Sequence, residues 1–331
     1  MLLRLFKGTH PGVIFLTALT LIAVWVSAIL NQRLHPRFIY EADPMPLYAL
    51  MKFLIHNSHS VGVILSFLMV SLMAFLIVNF NTTVFFIHER TFLPALIYVL
   101  FGGLFPDHQL MNPVIPASIF LMLAIRRIMD SYHVSGMAYS FFDAGILIST
   151  GSLFYANLIW FGLLIIIGIA ILRAGNLKET GIAFLGLLTP YILVFGLYYV
   201  IGKDLGALIK VLGNNLFGKS TYYPFPRLTI VAMIFSGALL IFSLIQLMKY
   251  MNTKKIKSRK TFYLMIWTFL ISVTVYFALP SASVELVWIT SIPVSYFFTH
   301  YFIVVRKRLV PEILFYLLFV FILLIQVWHL R

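Results

Sequence analysis

The stretch Asn31–His59, NQRLHPRFIYEADPMPLYALMKFLIHNSH, is the first long polar interruption in a very hydrophobic chain. It carries Glu41 and Asp43, two of only ten acidic residues in 331, with Arg33, Arg37 and Lys52 beside them and His35, His56 and His59 in the same segment. Within it, Met45–Ile55 reads as a short amphipathic helix, because Leu47, Leu50, Met51 and Leu54 recur on one helical face. A helix too short to span a bilayer, flanked by charge, has the pattern of a segment resting on the membrane surface. The apolar runs around it then read as membrane scaffold, and chemistry is expected beneath this loop.

Composition supports that division. The chain is 62% hydrophobic and 10% charged, whereas soluble domains carry about 25% charged residues. It is an integral membrane protein, expected to be an all-α polytopic helical bundle forming a single domain over residues 1–331. There is no cysteine, which excludes disulfides, thiolate metal sites and a Cys nucleophile. The formal charge of +14 raises nucleic acid as a partner, but the basic residues fall in short loops, so membrane lipid is the expected partner instead. Arg4 and Lys7 before an apolar run resemble a signal peptide. Gly12–Leu30 is nevertheless long enough to span, and no small-residue cleavage site follows, so it reads as a retained first helix.

Eleven apolar segments are candidates for spans: 12–30, 61–80, 92–105, 112–125, 138–154, 156–172, 182–201, 228–249, 261–279, 285–305 and 312–329. With the N-terminus inside and strict alternation, sixteen of the 24 Lys and Arg residues fall inside, including the runs Lys254–Lys260 and Arg306–Arg308, and eight fall outside. That bias is the positive-inside rule, and topology anchoring is the simplest account of the basic runs. The same alternation puts the first loop, the turn Pro106–Gln109 and the loop 202–226 on one outer face. In the last of these, Leu205, Leu208, Ile209 and Leu212 form an apolar stripe, which predicts a surface helix over 204–212.

The stretches HERTFLPALIYVLFGGLFPDHQLMNPVIPASIFLMLAIRRIMD and YSFFDAGILISTGSLFYANLIWFGLLIIIGIAILR, within 88–173, resemble an uncharacterised bacterial family of multi-pass membrane proteins. The layout of residues 10–205 also resembles, more distantly, the GT-C superfamily of polyprenyl-phosphate-sugar glycosyltransferases, with 206–331 as additional helices. The large soluble outer domain usual in that superfamily has no counterpart among these residues. The resemblance implies an inner-membrane enzyme that moves a sugar from a polyprenyl-phosphate donor on the outer face. Glu41 or Asp43 would match the first-loop acid, Asp107 the second, and Gly145–Tyr155 the bend of a helix pair.

Each candidate residue also has a plainer reading. Asp43 fits best as a general base, since Pro44 holds it out of helical conformation at the loop edge. Glu41 and Asp107 are second choices, to orient the acceptor or to hold a divalent cation through oxygen ligands. The alternative is a loop that is charged because loops are polar, with Asp107 as a helix N-cap. His108, with Asp107, would floor a cavity and touch substrate. Arg37, Lys203, Lys210 and Arg227 would pair with the carrier phosphate, or simply meet lipid headgroups. Tyr222, Tyr223 and Phe225 would stack on a sugar or form an interfacial belt. Asp143 is expected to pair with Arg126 or Arg127. The first-loop histidines lack zinc-ligand spacing, and no Walker, nucleophile-elbow or dinucleotide motif is present. Two non-enzymatic readings stay open: a lipid-carrier flippase or transporter, and a membrane scaffold.

Overall fold

The computed structural model describes residues 2–30, 43–56, 58–87, 89–132, 139–173, 177–219, 223–305 and 309–330. Among these, all regular structure is helical. The helices are α1 Leu2–Phe6, α2 Pro11–Leu30, α3 Pro46–Ile55, α4 His59–Val84, α5 Leu93–Gly102, α6 Val114–Asp130, α7 Tyr139–Ser152, α8 Gly162–Arg173, α9 Leu177–Val200, α10 Leu205–Phe217, α11 Arg227–Met251, α12 Ile256–Ala278, α13 Val287–Val304 and α14 Leu309–His329. Three 3₁₀ turns join them at Pro106–Gln109, Ala156–Phe161 and Val284–Leu286.

Every one of the eleven apolar segments contains a helix, but among the described residues eight helices are long and apolar enough to cross a membrane: Pro11–Leu30, His59–Val84, Ala156–Arg173, Leu177–Val200, Arg227–Met251, Ile256–Ala278, Val284–Val304 and Leu309–His329. The other three, α5, α6 and α7, have 10, 17 and 14 residues. At 1.5 Å per residue they reach about 15, 25 and 21 Å, short of a hydrocarbon core of about 30 Å. Punctuation in the sequence explains this. Gly102-Gly103, Pro106 and Pro113 stop α5 and delay α6, and irregular backbone at membrane depth survives only where protein covers it. It is covered here: every residue of α5 is buried, and Trp288, Tyr296, Phe297 and Phe298 of α13 are buried beside it.

The two surface helices form where expected. α3 begins with Pro46 at its first turn, where the missing N–H costs nothing, and stops at His56, which is left-handed (φ 50°). Tyr48 turns into the protein while Leu50, Phe53 and Leu54 are exposed, an apolar strip suited to the bilayer interface. α10 is longer than expected and starts on Asp204, whose carboxylate accepts from the Gly206 amide at 2.8 Å. Met45, Tyr48 and Ala156 make a small apolar cluster with Val211, Leu212 and Leu216, so α3 and α10 lie together over the 156–161 turn.

Polar contacts sort the two ends of the bundle. At one end, His59 Nε2 lies 2.9 Å from the Ala28 carbonyl, the Leu47 amide donates to the Leu153 carbonyl at 3.1 Å, and Asn157 Nδ2 donates to Ser281 Oγ at 3.0 Å. At the other, Arg173 binds Glu179 at 2.6 Å and the Ser131 carbonyl at 3.3 Å, and Lys260 reaches the Leu172 carbonyl at 3.5 Å. Asp107 belongs to the first end and Arg126 to the second.

Candidate functional site

The turn Pro106–Gln109 is held from several sides. Asn112 Oδ1 accepts from the Val114 and Ile115 amides at 3.1 and 3.2 Å, and its Nδ2 donates to the His108 carbonyl at 2.9 Å. Asn112 is therefore the side chain that satisfies the free amides at the start of α6, and Asp107 is released for other partners. Trp288 Nε1 donates to the same His108 carbonyl at 3.2 Å. Ser66 Oγ donates to the Gln109 carbonyl, and Ser27 Oγ to Gln109 Oε1 at 3.5 Å. A short, irregular turn is thus fixed by α2, α4 and α13.

On this base sit two carboxylate–histidine pairs. Asp107 Oδ2 accepts the Tyr223 hydroxyl at 2.8 Å, and its Oδ1 lies 3.7 Å from His329 Nε2 at the end of α14. His108 Nδ1 lies 3.9 Å from Glu285 Oε2, with both side chains almost completely buried. The Ser283 side chain hydrogen-bonds to Glu285, whereas Glu285 Oε2 and His108 Nδ1 face each other beyond hydrogen-bond reach. The Tyr223 ring is 5.1 Å from the His108 ring and 5.2 Å from Phe225. Burial, and then the neighbouring Asp107 charge, push the Tyr223 phenol well above its ordinary value, so it stays a hydrogen-bond donor throughout the physiological range.

Below the pairs runs an apolar groove of about 190 Å³ between α11, α12 and α13. Phe105, Phe225, Val284 and Leu286 line it near the polar turn, with Tyr276 and Phe277 beside them. These apolar residues are sequence neighbours of the polar ones: Phe105 precedes Pro106-Asp107, Phe225 follows Tyr223 by two, and Val284 and Leu286 flank Glu285. The partly exposed Asp107–His329 pair therefore stands at the head of the groove with hydrocarbon beneath, and the His108–Glu285 pair is buried behind it, an arrangement that suits an amphiphile.

The first-loop carboxylate is placed elsewhere. Asp43 Oδ2 accepts from Asn214 Nδ2 at 2.9 Å, and its carbonyl accepts from Asn215 Nδ2 at 2.7 Å. Asp43 thus fastens the end of the first loop to α10, while Tyr48 donates to the Met111 carbonyl at 3.2 Å and ties α3 to the start of α6. Glu41, Arg37 and Tyr222 lie outside the described residues. Lys203 is exposed, with its Nζ 5.4 Å above the Tyr198 ring, and Arg227 and Lys210 are exposed too. Asp143 meets Arg127 Nε at 3.6 Å, the pairing read from the sequence. Among the described residues, no three His, Asp or Glu side chains are grouped as metal ligands.

Glu285 and His329 are not among the residues that the sequence singles out. Glu285 carried a legible signal, an acid at the first turn of a long apolar segment, but it reads equally well as a loop charge. His329 carried none. Neither a curated protein nor a solved structure matches the chain. A family model does, over residues 45–331, which include α3, the Asp107 turn and all the helices after it. The chain belongs to that family, the family of unknown function DUF6427.

Proposed function

We propose that this protein is a membrane-embedded glycosyltransferase that takes a sugar from a polyprenyl-phosphate carrier, with Asp107 as the general base. The observation that carries the reading is the position of the partly exposed Asp107–His329 pair at the head of an apolar groove. The prenyl chain would lie along Phe225 and Phe277, and the phosphate and sugar at the polar turn. Asp107 takes the proton of the acceptor hydroxyl as its oxygen bonds to the anomeric carbon. The bond from that carbon to the phosphate oxygen breaks, and polyprenyl phosphate leaves with the electron pair. Tyr223 orients Asp107 through the hydrogen bond to Oδ2, and His329 lies beside Oδ1. Asp43 fastens the chain just before α3 to α10.

The reading also takes the chain through eleven passes, with the Asp107 end outside the inner membrane and the GT-C arrangement in residues 10–205. What supports alternation is that the short helices α5, α6 and α7 still connect opposite ends: Glu89 lies 3.5 Å from Lys7, Leu153 meets Leu47, and His329 meets Asp107. Reporters fused at Lys255 and at the C-terminus are expected to read opposite sides of the membrane. A shared side sinks the odd number of passes.

The non-catalytic scaffold is the second reading, favoured by the use of Asp43 as a structural fastener. Purified protein reconstituted with radiolabelled polyprenyl-phosphate sugar separates the two. Label appearing on an acceptor, with stoichiometric release of polyprenyl phosphate, supports the enzyme. Carrier retained with no transfer to any acceptor present in the native membrane extract supports the scaffold.

A further inference from the structure

At the other end of the bundle, some 24 Å along α6 from the polar turn by helix length, a cleft of about 510 Å³ opens between α6 and α7. Arg126, Arg127, Asp130 and Asp143 form its polar wall. Leu123, about one turn back along α6, and Ile146 and Leu147, one turn on along α7, line the rest. Both helices therefore pass from charge at the end of the bundle to aliphatic surface one turn deeper.

We propose that this cleft binds a phospholipid whose headgroup carries a phosphate and a primary ammonium, a phosphoethanolamine lipid, in the leaflet at that end. This goes beyond the glycosyltransferase reading and does not depend on it. The charge balance selects the headgroup. Two arginines face two aspartates, and a zwitterion leaves neither pair uncompensated. The phosphate lies between Arg126 and Arg127, whose guanidinium forks match its oxygens. The ammonium lies against Asp130 and Asp143.

The residues have capacity to spare for such a ligand. Arg127 and Asp143 touch at 3.6 Å with side chains 52% and 41% exposed, longer than a charge-assisted hydrogen bond of about 2.8 Å. Among the described residues, neither Arg126 nor Asp130 has an ion-pair partner. The lining also discriminates between lipids. Choline headgroups are held by aromatic cages, and among the described residues no aromatic side chain lines this cleft. A primary ammonium instead brings N–H donors, which two carboxylates accept. An anionic headgroup without an amine meets the same carboxylates and is repelled. Leu123, Ile146 and Leu147 receive the first methylenes of the acyl chains.

The test is native mass spectrometry of the delipidated full-length protein with ethanolamine, choline and glycerol phospholipids of identical acyl chains. The expected result is retention of the ethanolamine lipid about tenfold above the other two, equivalent to about 1.4 kcal/mol. Asp130→Asn with Asp143→Asn is expected to remove the preference over choline, and Arg126→Gln with Arg127→Gln to lower retention of both phosphoethanolamine and phosphoglycerol lipids. Asp130→Asn alone changes an exposed residue and guards against misfolding of the double variant. It should lose part of the preference at unchanged thermal stability. Equal retention of ethanolamine and choline lipids by the unaltered protein overturns the proposal, as does a preference that survives in both aspartate variants. Displacement of the lipid by an equal concentration of soluble phosphoethanolamine reassigns the cleft to a soluble ligand and overturns it as a lipid site.

Discussion

Asp107→Asn is expected to give a protein that inserts and folds but transfers sugar about 100- to 10,000-fold more slowly, the range general-base assistance supplies. The substitution keeps an oxygen for the Tyr223 hydroxyl, so the 2.8 Å hydrogen bond and the ring packing against His108 and Phe225 have no reason to break. What is lost is the ability to take a proton. Tyr223→Phe separates orientation from acid–base chemistry, since it removes the hydrogen bond and keeps the ring. A fall of about tenfold, worth about 1.4 kcal/mol, is expected there, with the bound-carrier signal retained. Asp43→Asn is the control: its amide oxygen still accepts from Asn214, so transfer should stay within a few-fold of the unaltered protein. The measurement is initial transfer rate at saturating carrier in reconstituted vesicles. Full activity of Asp107→Asn removes Asp107 as the base, and loss of activity in Asp43→Asn alone hands that role to Asp43.

The contrast between these two aspartates marks how far the sequence reaches. Asp43 stands before Pro44 in a charged loop, and those local features single it out as a base. Its partner Asn214 is 171 residues away, and nothing in either segment announces the other. Tyr223 and Asp107 are 116 apart, and His108 and Glu285 further still. Side-chain pairing across that distance is set by how helices pack, and a single sequence has no record of it. The helices are another matter. A bilayer forces each span to satisfy its own backbone hydrogen bonds and to be apolar, so hydropathy alone located the eight helices long enough to cross it. α3 and α10 were legible for a related reason, an apolar stripe bordered by charge. The lengths of α5, α6 and α7 were less so. There the hydropathy runs on through Gly102-Gly103 and Pro113 while the helices stop, because protein rather than lipid surrounds them.

Gly186→Ala is the substitution expected to cost the most stability for the fewest atoms. α9 and α7 cross backbone to backbone at Gly186 and Gly145. A Cβ on Gly186 would lie 2.3 Å from the Phe142 carbonyl oxygen, and one on Gly145 would lie 2.6 Å from the Ala183 carbonyl oxygen. Neither neighbour is a flexible side chain, so the helices must part. Between lipid-embedded helices there is no hydrophobic drive to offset that, because lipid solvates the exposed face as well as protein does, and close packing of small residues is what holds such pairs. α9 has little else to rely on. Only 17% of its span is buried, and its polar ties across to the bundle include the Arg173–Glu179 ion pair at one end and the Tyr191–Ser152 hydrogen bond at 2.7 Å. A loss of about 3 kcal/mol or more is expected, at the upper end of ordinary single substitutions, read as a lower unfolding midpoint of the detergent-solubilised protein. Gly196→Ala on the same helix, where an added Cβ meets nothing within 4 Å, should be neutral or slightly stabilising, because alanine is the better helix former. Equal midpoints for the two variants would mean that the crossing is looser than its geometry. The consequence for the site follows from chain order. α9 leads through Lys203 into α10, and α10 holds Asp43 through Asn214 and Asn215. A displaced α9 should therefore also loosen the Asp43 contacts, and hydrogen exchange over α3 is expected to quicken in Gly186→Ala and not in Gly196→Ala.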